Sequence, residues 1–260
     1  ILAQRFGVDA LRFFLLRSFP FGSDGNFSNE LLSSTINTDL ANDLGNLASR
    51  VLKMALRSCN GIIPVPHTMQ PEDTELLAMA DAALDTMEKS LAAYQIDAGI
   101  NAVLDVVRAG NRYFEAAAPW ALAKAGNVER LETVIYTAAE MMRRVAILLD
   151  PVMPGKMKEL RDMLGMDPEA AATLESLHNK DNVLSGRNVI DRGGLFMRIQ
   201  VEEPAVACQK PAKEKKESKP AEEPKNNPPK EGEQEQKKSS RRRPNHRRRS
   251  PKKPAGNAES

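Results

Sequence analysis

Residues 29–58 read NELLSSTINTDLANDLGNLASRVLKMALRS, and this stretch decides the fold that we predict for the chain. Apolar side chains recur along it at intervals of three or four residues, at Ile36, Leu40, Leu44, Leu47 and Val51. Such spacing places the apolar side chains in one stripe along a helix, whereas a half-buried strand would alternate apolar and polar residues. The stretch therefore predicts a long amphipathic helix whose stripe packs against other helices.

Similar stripes follow towards the C-terminus and predict a bundle. Three further long helices, with their stripe residues in parentheses, are expected at 72–94 (Leu77, Ala80, Leu84, Met87, Leu91, Tyr94), 97–117 (Ile100, Val103, Val107, Phe114) and 128–149 (Leu131, Ile135, Ala138, Met142, Val145, Leu149). Shorter helices are expected near 155–164 and 168–177. Helices that keep one stripe against their neighbours form bundles, and residues 1–180 show no alternation typical of a sheet. The predicted fold class is therefore all-α, a helical bundle.

The last part of the chain has a different composition. Residues 205–260 contain no Leu, Ile, Met, Phe, Tyr or Trp, and they carry 17 Lys and Arg against 8 Asp and Glu, a net charge of +9. Such a segment buries too little apolar surface to offset the entropy lost on ordering, so we expect a disordered basic tail. Residues 1–204 carry a net charge of −7. This acidic balance excludes a body coated in positive charge, so an RNA site on it would be local.

Other features of the sequence favour a cytoplasmic protein. The two cysteines, Cys59 and Cys208, show neither a pairing pattern nor metal-ligand spacing, which suits a reducing cytosol and predicts no metal site. No apolar run approaches the roughly 18 residues of a membrane helix, so we expect no membrane partner. The chain starts at Ile1 without an initiator Met or a signal peptide, and we interpret it as cut from something longer.

Several short stretches of the chain carry a family resemblance. The first is GVDALRFFLLR at 7–17, in which Asp9 is a predicted N-cap, and the second is NTDLANDLGNLASR at 37–50. APW at 118–120 and LDPVMP at 149–154 form the third, and LFMRI at 195–199 follows as a predicted docked peptide, with Met197 where the family has Pro. In this order and at these separations they resemble the methionyl-tRNA synthetases, which are class I aminoacyl-tRNA synthetases.

The resemblance implies an organisation and a function. It divides the chain into a stem-contact segment at 1–30, a helical anticodon-binding domain at 31–180, a linker with a docked terminal peptide at 181–204 and the tail at 205–260. It implies a part of methionine–tRNA ligase, which attaches methionine to its tRNA with ATP and Mg, and the two cofactors, ATP and Mg, are expected to belong to the full enzyme and not to this chain. The implied partners are methionine tRNA with the CAU anticodon and the missing catalytic domain, and no DNA is expected.

The resemblance also implies three anticodon contacts, Asn46, Arg50 and Trp120. Asn46 and Arg50 match residues that approach the first anticodon base, a cytosine, and Trp120 matches the tryptophan on which that base stacks. Residues four apart share one helical face, and this face lies off the apolar stripe. Asn, Arg and an aromatic ring are also the groups that read unstacked RNA bases. Spacing alone leaves open a merely solvated Asn–Arg pair and a core tryptophan.

No catalytic residue is predicted. The chain contains neither a His-Ile-Gly-His-like nor a Lys-Met-Ser-Lys-Ser-like motif, and no glycine-rich phosphate loop opens a helix. The carboxylates fall mostly on polar helix faces, and we interpret them as solvated. We therefore expect the chain alone to be inactive in synthesis.

The tail has its own predicted role. Residues 237–253 contain ten Lys and Arg and no acidic residue, and they are expected to bind RNA without sequence preference or to act only as a solubilising arm. The arginines concerned are Arg241, Arg242, Arg243, Arg247, Arg248 and Arg249. Two alternatives to the leading hypothesis remain open: the anticodon-binding part of another class I synthetase, and a non-catalytic helical scaffold whose tail alone touches RNA.

Overall fold

The secondary structure consists of helices in the residues that the computed structural model describes, which are 1–167, 173–178 and 184–199. The helices are α1 (Leu2–Phe6), α2 (Val8–Ser18), α3 (Asn29–Thr35), a π-helical segment (Ile36–Gly45), α4 (Asn46–Ser58), α5 (Pro71–Ala92), α6 (Ile96–Ala117), α7 (Pro119–Ala125), α8 (Val128–Leu148), α9 (Pro154–Met163) and α10 (Glu175–His178). Between 1 and 199 these ranges contain no strand, and the pairing outside helices is one antiparallel bridge between Ile62 and Asn188. The all-α prediction is confirmed.

All of the described residues belong to one compact unit, Ile1–Val206. At its centre lies α8, in which every residue from Thr133 to Leu148 is buried. Helices α4, α5, α6, α7 and α9 pack around it. The stripes predicted for α6 and α8 are buried, as Phe114 at 1% and Met142 at 0% exposure illustrate. The predicted tail and much of the helix predicted at 168–177 lie outside the described residues.

The helix predicted at 29–58 is continuous, but it is not α-helical throughout. Its stripe, including Leu40, Leu44 and Leu47, is fully buried as predicted. Between Ile36 and Gly45, however, the backbone bonds close at i→i−5 instead of i→i−4, so α3 and α4 are joined by a π-helical segment. The prediction of a regular α-helix is wrong there, because stripe spacings of three and four residues do not distinguish the two hydrogen-bond patterns.

The end of α5 also differs from the prediction. Leu91 is 48% exposed and Tyr94 is 71% exposed, although both belong to the predicted stripe. Ser90 takes the buried position in the last turn, and α5 ends at Ala92. Tyr94 then adopts a left-handed conformation with φ 59° and stacks its ring on Phe21, with centroids 5.9 Å apart. The residues of an apolar stripe are buried only where a neighbouring element packs against the helix.

Three carboxylates that we interpreted as solvated are buried. Asp39, Asp73 and Glu140 are at most 3% exposed. Asp73 accepts hydrogen bonds from the Tyr113 hydroxyl and from Arg130 Nη1, both at 2.5 Å. Burial by itself raises the pKa of Asp73, but these bonds more than offset it and hold that pKa below its ordinary value. The interpretation is wrong for these residues for two reasons. Asp39 and Asp73 pair with arginines that are distant in sequence, and Glu140 lies on α8, which other helices cover.

Two of the family motifs bind each other. Asp9 is not the N-cap of α2, because that helix begins at Val8 and Asp9 lies in its first turn. Its Oδ2 instead accepts the backbone N–H of Lys156 at 2.6 Å and so caps the free amides at the start of α9. One turn later, Arg12 donates to the carbonyl oxygens of Val152 at 3.1 Å and Pro151 at 2.8 Å. The motif at 7–17 therefore holds the motif at 149–154.

The predicted docked peptide is present at 195–199, and we call these residues the docked peptide. Leu195 is 1% exposed. The Asn37 side chain binds the Ile199 backbone twice: Asn37 Nδ2 donates to the carbonyl oxygen at 2.9 Å, and Asn37 Oδ1 accepts the N–H at 2.8 Å. Met197, where the family has Pro, is 85% exposed. The peptide therefore lies on the π-helical segment.

The absence of a side chain at Gly165 allows the segment that leads to the docked peptide to pack closely against the end of α9. Gly165 and Gly126 both have left-handed φ angles, 72° and 70°, so alanine costs about 1–2 kcal/mol at either position. A Cβ on Gly165 would also lie 2.2 Å from the Asn188 carbonyl oxygen, whereas nothing lies within 4 Å of one on Gly126. We therefore expect Gly165→Ala to destabilise the protein clearly more than Gly126→Ala in urea titrations. Equal losses of unfolding free energy would contradict this account of the close approach.

Candidate nucleic-acid interface

The structure brings Arg50 of α4 and Trp120 of α7 into contact. The Arg50 guanidinium lies over two rings, with its Cζ 5.5 Å from the Trp120 centroid and 5.3 Å from the Phe114 centroid. Its Nη2 donates to Glu115 Oε2 at 2.6 Å. Trp120 remains 45% exposed, although its ring meets Phe114 edge-on at 6.4 Å. The result is an open aromatic surface with a fixed guanidinium beside it.

The joint between α6 and α7 positions the tryptophan. Helix α6 ends at Ala117, and Ala118 adopts a left-handed conformation with φ 43° and ψ 60°. Pro119 then starts α7, since its fixed φ and missing N–H suit the first position of a helix. Trp120 therefore lies in the first turn of α7. A left-handed alanine costs about 1–2 kcal/mol, so packing around the joint must hold it.

Asn46 is the first residue of α4, one turn before Arg50. The backbone is α-helical from Asn46 onwards, so the two side chains share a face, and the neighbouring Leu47 and Val51 point into the core at 0% and 1% exposure. Asn46 is exposed. Within the described ranges its side chain makes no hydrogen bond, which leaves its donor and its acceptor unused by those residues. The six tail arginines, Arg241, Arg242, Arg243, Arg247, Arg248 and Arg249, lie outside the described residues.

Two residues at this site were missed by the sequence analysis. Glu115 binds Arg50 from α6, which is 65 residues further along the chain. Phe114 was predicted as core and is buried, but one face of its ring also supports the guanidinium. Nothing in the local sequence pairs positions this distant, so no signal marked either residue.

An ion network holds the helix immediately before Asn46. Asp39 forms an ion pair with Arg17, whose Nε lies 2.8 Å from Asp39 Oδ2, and it accepts a hydrogen bond from Arg108 Nη2 at 3.0 Å. Arg108 Nε lies 3.4 Å from Asp43 Oδ2. Partial burial raises the pKa of Asp43 above its ordinary value, and the positive charge of Arg108 offsets this in part. The network joins α2, the π-helical segment and α6, and so fixes the position of the segment that leads into Asn46.

The described residues offer little for metal or thiol chemistry. Residues 1–167, 173–178 and 184–199 contain no group of three or more His, Cys, Asp or Glu side chains that could hold a metal ion. Burial, and to a smaller extent Glu132, raises the pKa of the Cys59 thiol to about 11, so the nucleophilic thiolate is scarce at neutral pH. Among the helices of those ranges, none combines the length and apolarity that a membrane span needs.

The arrangement suits an unpaired RNA base. A base can stack on the exposed Trp120 ring, while the Asn46 amide donates to and accepts from its Watson–Crick edge and the free edge of the Arg50 guanidinium donates to it. Single-stranded loops are read in this way, since a base splayed from its stack leaves both face and edge accessible. A local site of this kind is also what an acidic body requires.

Family models place the chain among class I aminoacyl-tRNA synthetases. Residues 1–52 match the model described as tRNA synthetases class I (M), and residues 63–212 match the anticodon binding domain of methionyl tRNA ligase. Because the second match alone covers more than half of the sequence, the chain belongs to the methionyl-tRNA ligase family.

Known relatives agree with this placement. The chain is 40% identical over 203 residues to methionine–tRNA ligase of Mesorhizobium japonicum, covering 78% of this chain and 39% of that protein. It is 40% identical over 221 residues to the ligase of Caldanaerobacter subterraneus, covering 84% and 34%. The structure resembles free methionyl-tRNA synthetase of Mycobacterium tuberculosis with a TM-score of 0.72 and 35% identity, over 77% of this chain and 40% of that one. The chain thus spans well under half the length of these relatives.

Proposed function

We propose that this chain recognises the anticodon of a methionine tRNA as part of a methionine–tRNA ligase. The contact between Arg50 and a half-exposed Trp120 carries the proposal, because it supplies a stacking surface and hydrogen-bond donors at one place. Asn46, one turn before Arg50 on the same face, adds a donor and an acceptor. These three residues act together on the first anticodon base, a cytosine in the CAU anticodon.

The proposed recognition works through stacking and paired polar groups. A base that stacks on an aromatic side chain gains about 1–3 kcal/mol, and a base whose edge Asn46 and Arg50 cannot pair is not held on the Trp120 ring. Selectivity then comes from the edge, because a wrong base leaves buried donors and acceptors of Asn46 and Arg50 unpaired. Glu115 holds the Arg50 side chain before RNA arrives, so less conformational entropy is lost when the base binds.

The proposal assigns RNA recognition to this chain and assigns it no catalytic residue. The ATP- and Mg-dependent attachment of methionine belongs to the rest of the ligase, which we place in the cytoplasm with the translation machinery. The arginines of the tail, at 241–243 and 247–249, contribute RNA affinity without base preference by releasing counterions from the phosphate backbone. The segment boundaries at 30, 180 and 204 remain predictions.

Binding measurements on a small set of RNAs test the proposal. The full chain and a variant ending at 204 are titrated with methionine tRNA, with the same tRNA changed at the anticodon cytosine, and with isoleucine and valine tRNAs. We expect both chains to rank methionine tRNA first, since the bundle makes the selection. Removing the tail should weaken all tRNAs alike and flatten the dependence of binding on salt.

Two outcomes would contradict the proposal. A preference for isoleucine or valine tRNA would assign the chain to another class I synthetase. If the variant ending at 204 bound no tRNA selectively although it was folded, the bundle would be a scaffold and the tail the sole RNA-binding element. Circular dichroism of the shortened chain is the folding control.

A further inference from the structure

The π-helical segment, Ile36–Gly45, lies immediately before the proposed anticodon residues. Its hydrogen bonds continue to the first residue of α4, where the backbone N–H of Asn46 bonds to the Ala41 carbonyl, five residues earlier. Such segments are rare, because they bond less favourably than an α-helix, and they often occur at functional sites. Something outside the local backbone must therefore hold this one.

The docked peptide, 195–199, fits the surface that the π-helical pattern creates. Its backbone at Ile199 binds the Asn37 side chain, and Arg198 Nη2 donates to Asn42 Oδ1 at 2.7 Å. Asn37 and Asn42 are five residues apart, which corresponds to about 140° around an α-helix. Bonding at i→i−5 brings residues with this separation closer to one face. One short extended peptide can therefore reach both residues in the π-helical form.

The same peptide touches the last residue of the segment. Carbons of Phe196 lie 3.6 and 3.7 Å from the point where a Cβ of Gly45 would be. Asn46 is the next residue, and Arg50 follows one turn later. If one turn relaxed from i→i−5 to i→i−4 bonding, the residues after it would rotate by about 100° relative to those before it. The buried Leu47 and Val51 resist rotation of α4 as a whole, so the displacement would fall on its start, from Asn46 to Arg50.

We propose that Asn37 is a positioning residue for the anticodon site: by binding the docked peptide it holds the π-helical segment in the register that presents Asn46 and Arg50 beside Trp120. This inference rests on the proposed function. Asn37 itself does not touch the RNA and acts through the helix. Arg17 of α2 and Arg108 of α6 also anchor the segment, through Asp39 and Asp43. Loss of the peptide contact therefore loosens the register without unfolding the bundle.

The experiment compares Asn37→Ala with Thr38→Ala in the full chain. Thr38 is the exposed neighbour on the same segment, and its side chain binds nothing within the described ranges. Phe196→Ala is a second test variant, which removes the packing on Gly45 and leaves Asn37 intact. Each protein is titrated with the CAU tRNA and with the tRNA changed at the cytosine, well below its melting temperature. The emission of Trp120, the chain's single tryptophan, is recorded without RNA.

We expect Asn37→Ala and Phe196→Ala to shift the Trp120 emission and to reduce the preference for the cytosine by about tenfold, the value of one well-placed bond. Thr38→Ala should match the wild type in both measurements. By linkage, the CAU tRNA should slow hydrogen exchange of the Ile199 N–H, because RNA and peptide favour the same register. A purely structural role would lower the melting temperature and leave the emission and the base preference unchanged.

Unchanged emission and preference in both test variants, or equal changes in Thr38→Ala, would overturn the positioning role. The emission requires no RNA, so it separates this inference from the proposed function. If the wild type showed no preference for the cytosine, the proposed function would fail, while the emission of the variants would still decide whether the peptide controls the geometry at Trp120.

Discussion

Trp120→Ala should weaken binding of the CAU tRNA by about 1–3 kcal/mol and leave binding of a tRNA changed at the anticodon cytosine nearly unaltered. The substitution removes the half-exposed Trp120 ring, on which we propose that the cytosine stacks. Arg50→Ala should show a similar pattern, because it removes charge-assisted hydrogen bonds worth about 1.5–3 kcal/mol. A double-mutant cycle between each residue and the base, from dissociation constants, measures the coupling directly.

Conservative variants sharpen this test. Arg50→Lys keeps the charge but loses the planar fork that lies over Trp120 and that we propose bonds a base edge, so it should behave more like Arg50→Ala than like the wild type. Trp120→Phe keeps a ring and should retain part of the affinity. Circular dichroism monitors folding throughout. If Trp120→Ala bound both tRNAs equally less well, or lost its helical signal, the tryptophan would be structural and the site assignment wrong.

Glu140→Ala should lower the free energy of unfolding by about 3–5 kcal/mol, because it leaves the buried Arg143 without its carboxylate and removes one of the two carboxylates, Glu140 and Asp81, that pair with Arg144. Glu140 accepts from Arg143 Nη2 at 2.7 Å and from Arg144 Nε at 3.1 Å. The three side chains are at most 5% exposed. Arg144 also donates to the Leu77 carbonyl at 3.0 Å, and Arg143 to the Ser176 carbonyl at 3.2 Å. These bonds tie α8 to α5 and to the segment at 173–178.

Urea titrations followed by circular dichroism measure this effect. Glu88→Ala is the matched control, since Glu88 is an exposed glutamate of α5. The free energy of unfolding of this variant should lie within about 0.5 kcal/mol of the wild-type value. The same loss in both variants would show that the buried cluster adds nothing beyond an ordinary surface charge.

The sequence alone was sufficient for the helical class and for most of the core. Ile36, Leu40, Leu44, Leu47 and Val51 recur with helical spacing, and the structure buries all of them. This succeeds because the period of an apolar stripe is a local property that each helix carries in its own residues. Asn46 and Arg50 were placed off the stripe for the same reason. The family motifs were also legible as contiguous stretches.

Only the tertiary structure decided which partners these residues meet. Asp9 caps a helix that begins near Pro154, Glu115 binds Arg50 across 65 residues, and Asn37 binds Ile199 across 162. Local spacing contains no information about such pairs. The π-helical register before Asn46 could not be predicted from the sequence for a related reason. Contacts with the docked peptide and with Arg108 hold it, and a backbone pattern that depends on distant partners does not change the spacing of the apolar residues.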